Sequence, residues 1–215
     1  MTARVVPDDR AGRALAVDVL RDGGVVALPT DTVYGIAVSL ATPGGIERLF
    51  HVKRRPPDKA VMLLLHDTSQ AARAGTVTPA AAALMAVCWP GGLTVVVPQR
   101  PDVRWPAALT GGSPTIGLRV PDHDAPRTLA WGVGPLPTTS ANVSGEREAS
   151  DAAGIVDQLG EEIDLVLDGG PALGGPASTI VDCAETIPKI LRVGAVPAER
   201  VAEILATAGI ELADS

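Results

Sequence analysis

The chain has 215 residues, 46% hydrophobic and 20% charged, with 18 Lys and Arg against 25 Asp and Glu and a formal net charge of −7. That is enough apolar material for one domain with a real core, and the acidic balance argues against a general nucleic-acid coat while leaving room for a local basic pocket. The aromatic residues, Tyr34, Phe50, Trp89, Trp105 and Trp131, are too few for a base-stacking platform, and the distant pair Cys88 and Cys183 makes neither a disulfide scaffold nor a cysteine zinc site.

The elements alternate along the chain. Met1 to Arg10 has no apolar run, so no signal peptide is read there. Asp8 or Asp9 caps a helix carrying Ala14, Leu15, Val17 and Leu20, which Gly23-Gly24 stops. Val25 to Leu28 is a short buried strand, and Thr42-Pro43 reads as N-cap and N1 of a second helix with Ile46, Leu49 and Phe50 on one face. Val61 to Leu65 is a strand, Pro79 to Val87 a helix, Leu93 to Val97 a strand. The apolar run from Ala80 to Trp89 is far shorter than the ~20 residues that span a bilayer, and a cytoplasmic location is expected. Thr115 to Val120 is extended, Leu129 to Trp131 closes a short helix, and Leu136 to Thr139 is extended again. Asp151 to Leu159 is helical. Leu165 to Leu167, Ser178 to Cys183 and Ile190 to Val193 are strands, and Pro197, at N1, opens a last helix to Ala208. The Gly/Pro-rich segments Pro98 to Pro114 and Asp168 to Pro176 read as loops. Strands interleaved with helices indicate one α/β domain over 1–215, its motif-bearing core about 8–196, with a mixed parallel and antiparallel sheet because some connections are too short for parallel crossovers.

Chemistry concentrates in three places. Arg48, Lys53, Arg54, Arg55 and Lys59 crowd the end of the second helix and the loop after it, where Pro56-Pro57 adds stiffness. Cations complement a helix C-terminus, but a crowd of like charges suits a polyphosphate clamp better. Pro29-Thr30-Asp31-Thr32-Val33-Tyr34-Gly35 follows a strand, where polar groups either cap a turn or line a ligand crevice. Pro137-Thr138-Thr139-Ser140-Ala141-Asn142-Val143-Ser144-Gly145 is a hydroxyl-rich loop open to the same two readings. Arg119 and Arg192 each alternate with apolar strand residues and need a partner, either an Asp of the chain or a ligand anion. No Walker loop, Gly-x-Gly-x-x-Gly or Gly-x-Ser-x-Gly occurs, and His51, His66 and His123 show no metal-ligand pattern. The chemistry indicated is electrostatic: hold polyphosphate, orient a small acid, stabilise growing negative charge.

Seven segments in order, Pro29 to Gly35, Lys53-x-Arg55-Pro56, Trp89-Pro90-Gly91-x-Leu93-Thr94, Arg119-Val120-Pro121, Ser140-x-Asn142-x-Ser144-Gly145, Ser178-Thr179-Ile180-Val181-Asp182 and Leu191-Arg192-x-Gly194, resemble the YrdC-like threonylcarbamoyl-AMP synthases. Gly92 stands where many members carry a second Pro, and Ala60 where Pro or Gly is common. The chain is similar to the short, single-domain form.

The resemblance implies an α/β domain with a twisted mixed sheet, flanking helices and a large, concave, basic cavity. It implies condensation of L-threonine, bicarbonate and ATP to threonylcarbamoyl-AMP with release of pyrophosphate, Mg²⁺ being carried by the ATP phosphates, and no protein metal site. A separate transferase complex then modifies tRNA, with tRNA contact by this chain a possible extra. Carried over, Lys53, Arg55, Ser140 and Asn142 become catalytic. Arg55, Lys59, Thr115, Ser140, Asn142 and Arg192 become ATP-binding, and Thr32, Arg119, Ser178 and Thr179 threonine-binding. Two other readings stay open: a non-catalytic double-stranded RNA or tRNA-binding module, and a paralogue that activates another carbamoyl donor.

Overall fold

The computed structural model describes residues 3–54, 59–172 and 175–213, so Arg55 and the Pro56-Pro57 pair lie outside the described residues. The strands are β1 (Arg4–Pro7), β2 (Val26–Leu28), β3 (Gly35–Ala37), β4 (Met62–Leu64), β5 (Leu93–Pro98), β6 (Thr115–Arg119), β7 (Leu136–Ser140), β8 (Leu165–Asp168), β9 (Thr179–Asp182) and β10 (Lys189–Arg192). The helices are α1 (Arg10–Arg21), α2 (Gly45–Lys53), α3 (Ala71–Ala74), α4 (Pro79–Cys88), α5 (Ala107–Thr110), α6 (Asp124–Val133), α7 (Ala152–Leu159) and α8 (Ala198–Thr207).

The described strands form one ten-stranded sheet in the order β1-β8-β2-β3-β7-β4-β6-β5-β9-β10. Four neighbouring pairs (β1–β8, β2–β8, β4–β6, β5–β9) are parallel and the others antiparallel, giving the mixed sheet the short connections require.

Period-two alternation sends each strand's residues to two different layers. One face of the sheet, with Leu63, Val95, Val97, Ile116, Leu118 and Val181, is buried under α2, α3, α4, α5, α7 and α8. On the other face α1 and α6 pack Ala16, Val17, Leu20, Ala125, Leu129 and Ala130 against Val26, Leu28, Ala37, Leu64, Leu136, Leu165 and Leu167. That second layer stops at β4. Beyond it the same face of β6, β5 and β9 carries Gly117, Thr94, Val96 and Ile180, and these floor a cavity. The site is thus the part of the sheet that two helices are too few to cover.

Of the two cap candidates for α1, Asp9 is the one used, its carboxylate accepting from the Gly12 amide at 2.8 Å, while Asp8 pairs with Arg13 at 2.6 Å. Other local expectations change. Thr42-Pro43 does not start α2: Gly44, at φ 75°, is its N-cap, a left-handed position that favours glycine. Pro197 is the N-cap of α8 rather than its first residue. The sequence pattern misses β1, an edge strand without alternation, and β3, which pairs Gly35 with Leu28 so that residues 29–34 are a β2–β3 hairpin loop. It also misses α5 inside the Pro98 to Pro114 loop, where Leu109 is fully buried. Asp9→Ala is expected to cost about 1 kcal/mol through the lost cap, read as a lower urea midpoint at unchanged slope. An unmoved midpoint would deny Asp9 that role.

Candidate active site

The cavity is about 490 Å³, a size that suits a small ligand. Its floor is a period-two face: Thr115, Gly117 and Arg119 on β6, Thr94 and Val96 on β5, Ile180 and Asp182 on β9, Thr138 and Ser140 on β7. Thr32 and Val33 of the β2–β3 loop close one end, and Ser113, Ala177, Leu191 and Arg192 form part of the rim. Among the described residues no helix is long and apolar enough to cross a membrane, and no cluster of three His, Cys, Asp or Glu could hold a metal ion.

At the Thr32 end, Arg119 is 3% exposed and its guanidinium is held on three sides. Nη2 donates to Asp31 Oδ1 at 2.6 Å, Nη1 to Thr32 Oγ1 at 2.9 Å and Nε to the Gly91 carbonyl at 2.9 Å. Burial acts against the charged guanidinium and lowers its pKa, while Asp31 beside it raises it. The partner that Arg119 required is therefore an Asp of the chain. Thr30 locks the loop beneath, donating to the Val33 carbonyl at 2.6 Å and accepting from the Thr32 amide at 3.1 Å. Tyr34, buried at the far side of that loop, donates to the Gly170 carbonyl and accepts from the Gly169 amide, tying the hairpin to the turn after β8.

At the opposite end, Lys53 is also 3% exposed. Its Nζ, with three N–H donors, lies among four acceptors that share them: the Ser140 carbonyl (2.7 Å), Ser140 Oγ (3.0 Å), the Asn142 carbonyl (3.1 Å) and Asn142 Oδ1 (2.8 Å). Its own carbonyl accepts from the Ser144 amide at 2.9 Å. Asn142 Nδ2 continues the network to the Val143 and Glu146 carbonyls. Lys53, Ser140 and Asn142 do meet, but Ser140 lines the cavity while the Lys53 amine stands behind it, bonded to that turn.

Ser178, on the third side, shares a hydroxyl contact of 2.9 Å with Thr94, and Arg192 donates to the Ser178 carbonyl at 2.8 Å. Ser113 and Thr115 hydroxyls pair at 2.8 Å at the rim.

Of the described cations in the crowd, Arg48 bonds the Gly23 carbonyl and pairs with Asp164 at 2.8 Å, Arg54 is an exposed C-cap, and Lys59 is exposed beside Ala60. Thr179 does not face the cavity; its hydroxyl donates to the Val196 carbonyl and accepts from the Gly194 and Val196 amides, fixing the strand-to-α8 turn. Arg192 is not a cation among buried apolar neighbours, because Leu191 and Val193 are 54% and 59% exposed on an edge strand. The charged residues of the described lining are Arg119, Arg192, Glu148 and Asp182. Asp182 was legible as a site residue only through period-two alternation with Ser178 and Ile180, and Thr94 only through alternation with Val96 on β5, while Glu148 lies in a loop that carries no such signal.

An α/β domain with a bared sheet face, hydroxyl-rich loops at both ends and a buried arginine at one of them has the form of a site for a polar small molecule. The chain belongs to the Sua5/YciO/YrdC family: the family model described as "Telomere recombination" matches residues 18–194. It is 40% identical over 201 residues to a relative from Mycobacterium leprae, covering 93% of this chain and 90% of that one. It is 34% identical over 194 residues to the threonylcarbamoyl-AMP synthase of Bacillus subtilis, where it covers 89% of this chain and spans 56% of the relative. The Pyrococcus abyssi Sua5 structure complexed with L-threonine superposes with a TM-score of 0.87 at 28% identity, covering 99% of this chain and 62% of that one. Escherichia coli YciO superposes with a TM-score of 0.81 at 26% identity, covering 93% and 98%.

Proposed function

We propose that this chain is an L-threonylcarbamoyladenylate synthase, a nucleotidyltransferase that joins L-threonine, bicarbonate and the AMP half of ATP and releases pyrophosphate. The observation that carries this reading is the cavity's two-ended chemistry, a buried arginine with the Thr32 hydroxyl at one end and the Lys53-braced Ser140–Asn142 turn at the other.

Arg119 has five N–H donors, and its bonds to Asp31, Thr32 and Gly91 use one on each nitrogen. The two that are left, one on each terminal nitrogen, are the donors for the threonine carboxylate in this reading. The Thr32 loop and Ser178 receive the threonine hydroxyl and backbone. The amine adds to bicarbonate with loss of water, and the carbamate oxygen attacks the α-phosphorus in line as pyrophosphate departs. Ser140 positions the phosphate oxygens, with Asn142 and Lys53 holding it rigidly, so little reorganisation is needed when charge develops. Thr115, Arg192 and Lys59 serve the nucleotide, as does Arg55 from outside the described residues. Mg²⁺ enters as part of the MgATP substrate. The adenylate then passes to a separate transferase complex that modifies tRNA, and the chain works in the cytoplasm.

The test is pyrophosphate release from ATP. It is expected to require threonine and bicarbonate together and to fall roughly 10–200-fold when serine, lacking one methyl, replaces threonine. Release that ignores either co-substrate would overturn the reading.

A further inference from the structure

Gly117 occupies the middle of β6, between Thr115 and Arg119 on the cavity face. Glycine inside a strand weakens it, so it needs a reason. Neither usual reason applies. Its φ lies outside the left-handed range, and a Cβ built there would meet Met62 Cβ at 3.5 Å and Thr94 Cγ2 at 3.6 Å, which is ordinary contact. At Gly35, the glycine of β3, a Cβ would press to 2.7 Å from Thr138 Cγ2. A side chain at 117 fits the protein but rises into the cavity.

Register places this gap. Met62 opposes Thr138, Val96 opposes Gly117 and Asp182, and the Leu63–Leu118 pairing sets Met62 beside Gly117. Thr138, Met62, Gly117, Val96 and Asp182 thus form one row across five strands, with Gly117 at its centre. On one side of the row lie Ser140 and Thr115, and on the other Arg119 and Thr94. The row stands between Ser140 and Thr115, assigned to the nucleotide, and Arg119, assigned to the amino acid.

We propose that Gly117 is a positioning residue whose missing side chain keeps open the space where the two substrates meet. This rests on the synthase reading. In that space a bond forms from the carbamate oxygen to the α-phosphorus, and the bond from the α-phosphorus to the bridging oxygen breaks, its electron pair leaving with pyrophosphate. A group standing at 117 leaves each substrate its own end and blocks their approach.

The experiment compares the unaltered chain with Gly117→Ala and Gly117→Val. Titration calorimetry measures ATP alone, threonine alone, and each in the presence of the other, beside pyrophosphate release and thermal unfolding. Each ligand alone should bind both variants much as it binds the unaltered protein. In Gly117→Val the two ligands should exclude one another and turnover should fall about 100-fold, the scale of a small misplacement at the reacting centre, with Gly117→Ala between. The melting temperature should not fall, since the new side chain also restricts the unfolded chain. Wild-type turnover in either variant would overturn the proposal, as would loss of one ligand alone to the same degree as turnover, which would put Gly117 under that ligand. Should Gly117→Val not fold, an undiminished rate in Gly117→Ala decides against it. Failure of the unaltered chain to release pyrophosphate would instead defeat the synthase reading, and mutual exclusion of ATP and threonine in Gly117→Val would still report where Gly117 sits.

Discussion

Lys53→Met should remove activity and stability together. The methionine keeps the stem of the side chain but none of the N–H donors that Ser140 and Asn142 share at 2.7–3.1 Å. Each acceptor left buried and unpaired costs about 1–3 kcal/mol, and the turn that carries Ser140 into the cavity loses its brace. Adenylate formation should fall about 100-fold through misplacement of that turn, and the denaturation midpoint should drop in parallel. A surface clamp lysine would behave otherwise, losing rate while the fold stayed as stable as before. An unmoved midpoint would therefore return Lys53 to the cavity wall.

Arg119→Ala is expected to weaken threonine binding far more than ATP binding, and to destabilise the protein. Asp31 is 14% exposed and Arg119 3%, so removing the cation strands a nearly buried carboxylate. Breaking such a pair from one side costs about 3–5 kcal/mol, the lower end applying where water still reaches the acid. The double variant Arg119→Ala/Asp31→Asn separates the two effects: neutralising the acid should restore much of the stability and none of the threonine affinity. Unchanged threonine binding by calorimetry in Arg119→Ala would contradict the assignment.

How much of this was legible in the sequence depends on how local the cause is. The α1, α4 and α7 helices and strands such as β5 follow from caps, prolines and periodicity within a few residues, and the structure agrees. The α2 start went wrong because Thr42-Pro43 imitates a helix entry whose true cap is a left-handed Gly44. Strand β1 and the β2–β3 hairpin depend on pairing with β8 and β7, which no local pattern reveals. At the site, motif order brought out Thr32, Ser140, Arg119 and Ser178, and all four line the cavity. What motif order could not reveal is which way a residue faces. Lys53 looks like a surface cation and is buried, Thr179 turns its hydroxyl to the backbone behind the wall, and Arg48 anchors the sheet through Asp164. Charge counted along the chain is not charge facing the hollow, and among the described lining residues Glu148 and Asp182 stand with Arg119 and Arg192.

The central claim is that one cavity joins a carbamylated threonine to AMP. Mass spectrometry of the product formed from ATP, threonine and carbon-13 bicarbonate tests it most directly. The account predicts an adenylate that contains the labelled carbon, the whole threonine and a single phosphate, and that is absent without enzyme. An unlabelled threonyl-adenylate, or no adenylate at all while ATP and threonine both bind, would contradict it.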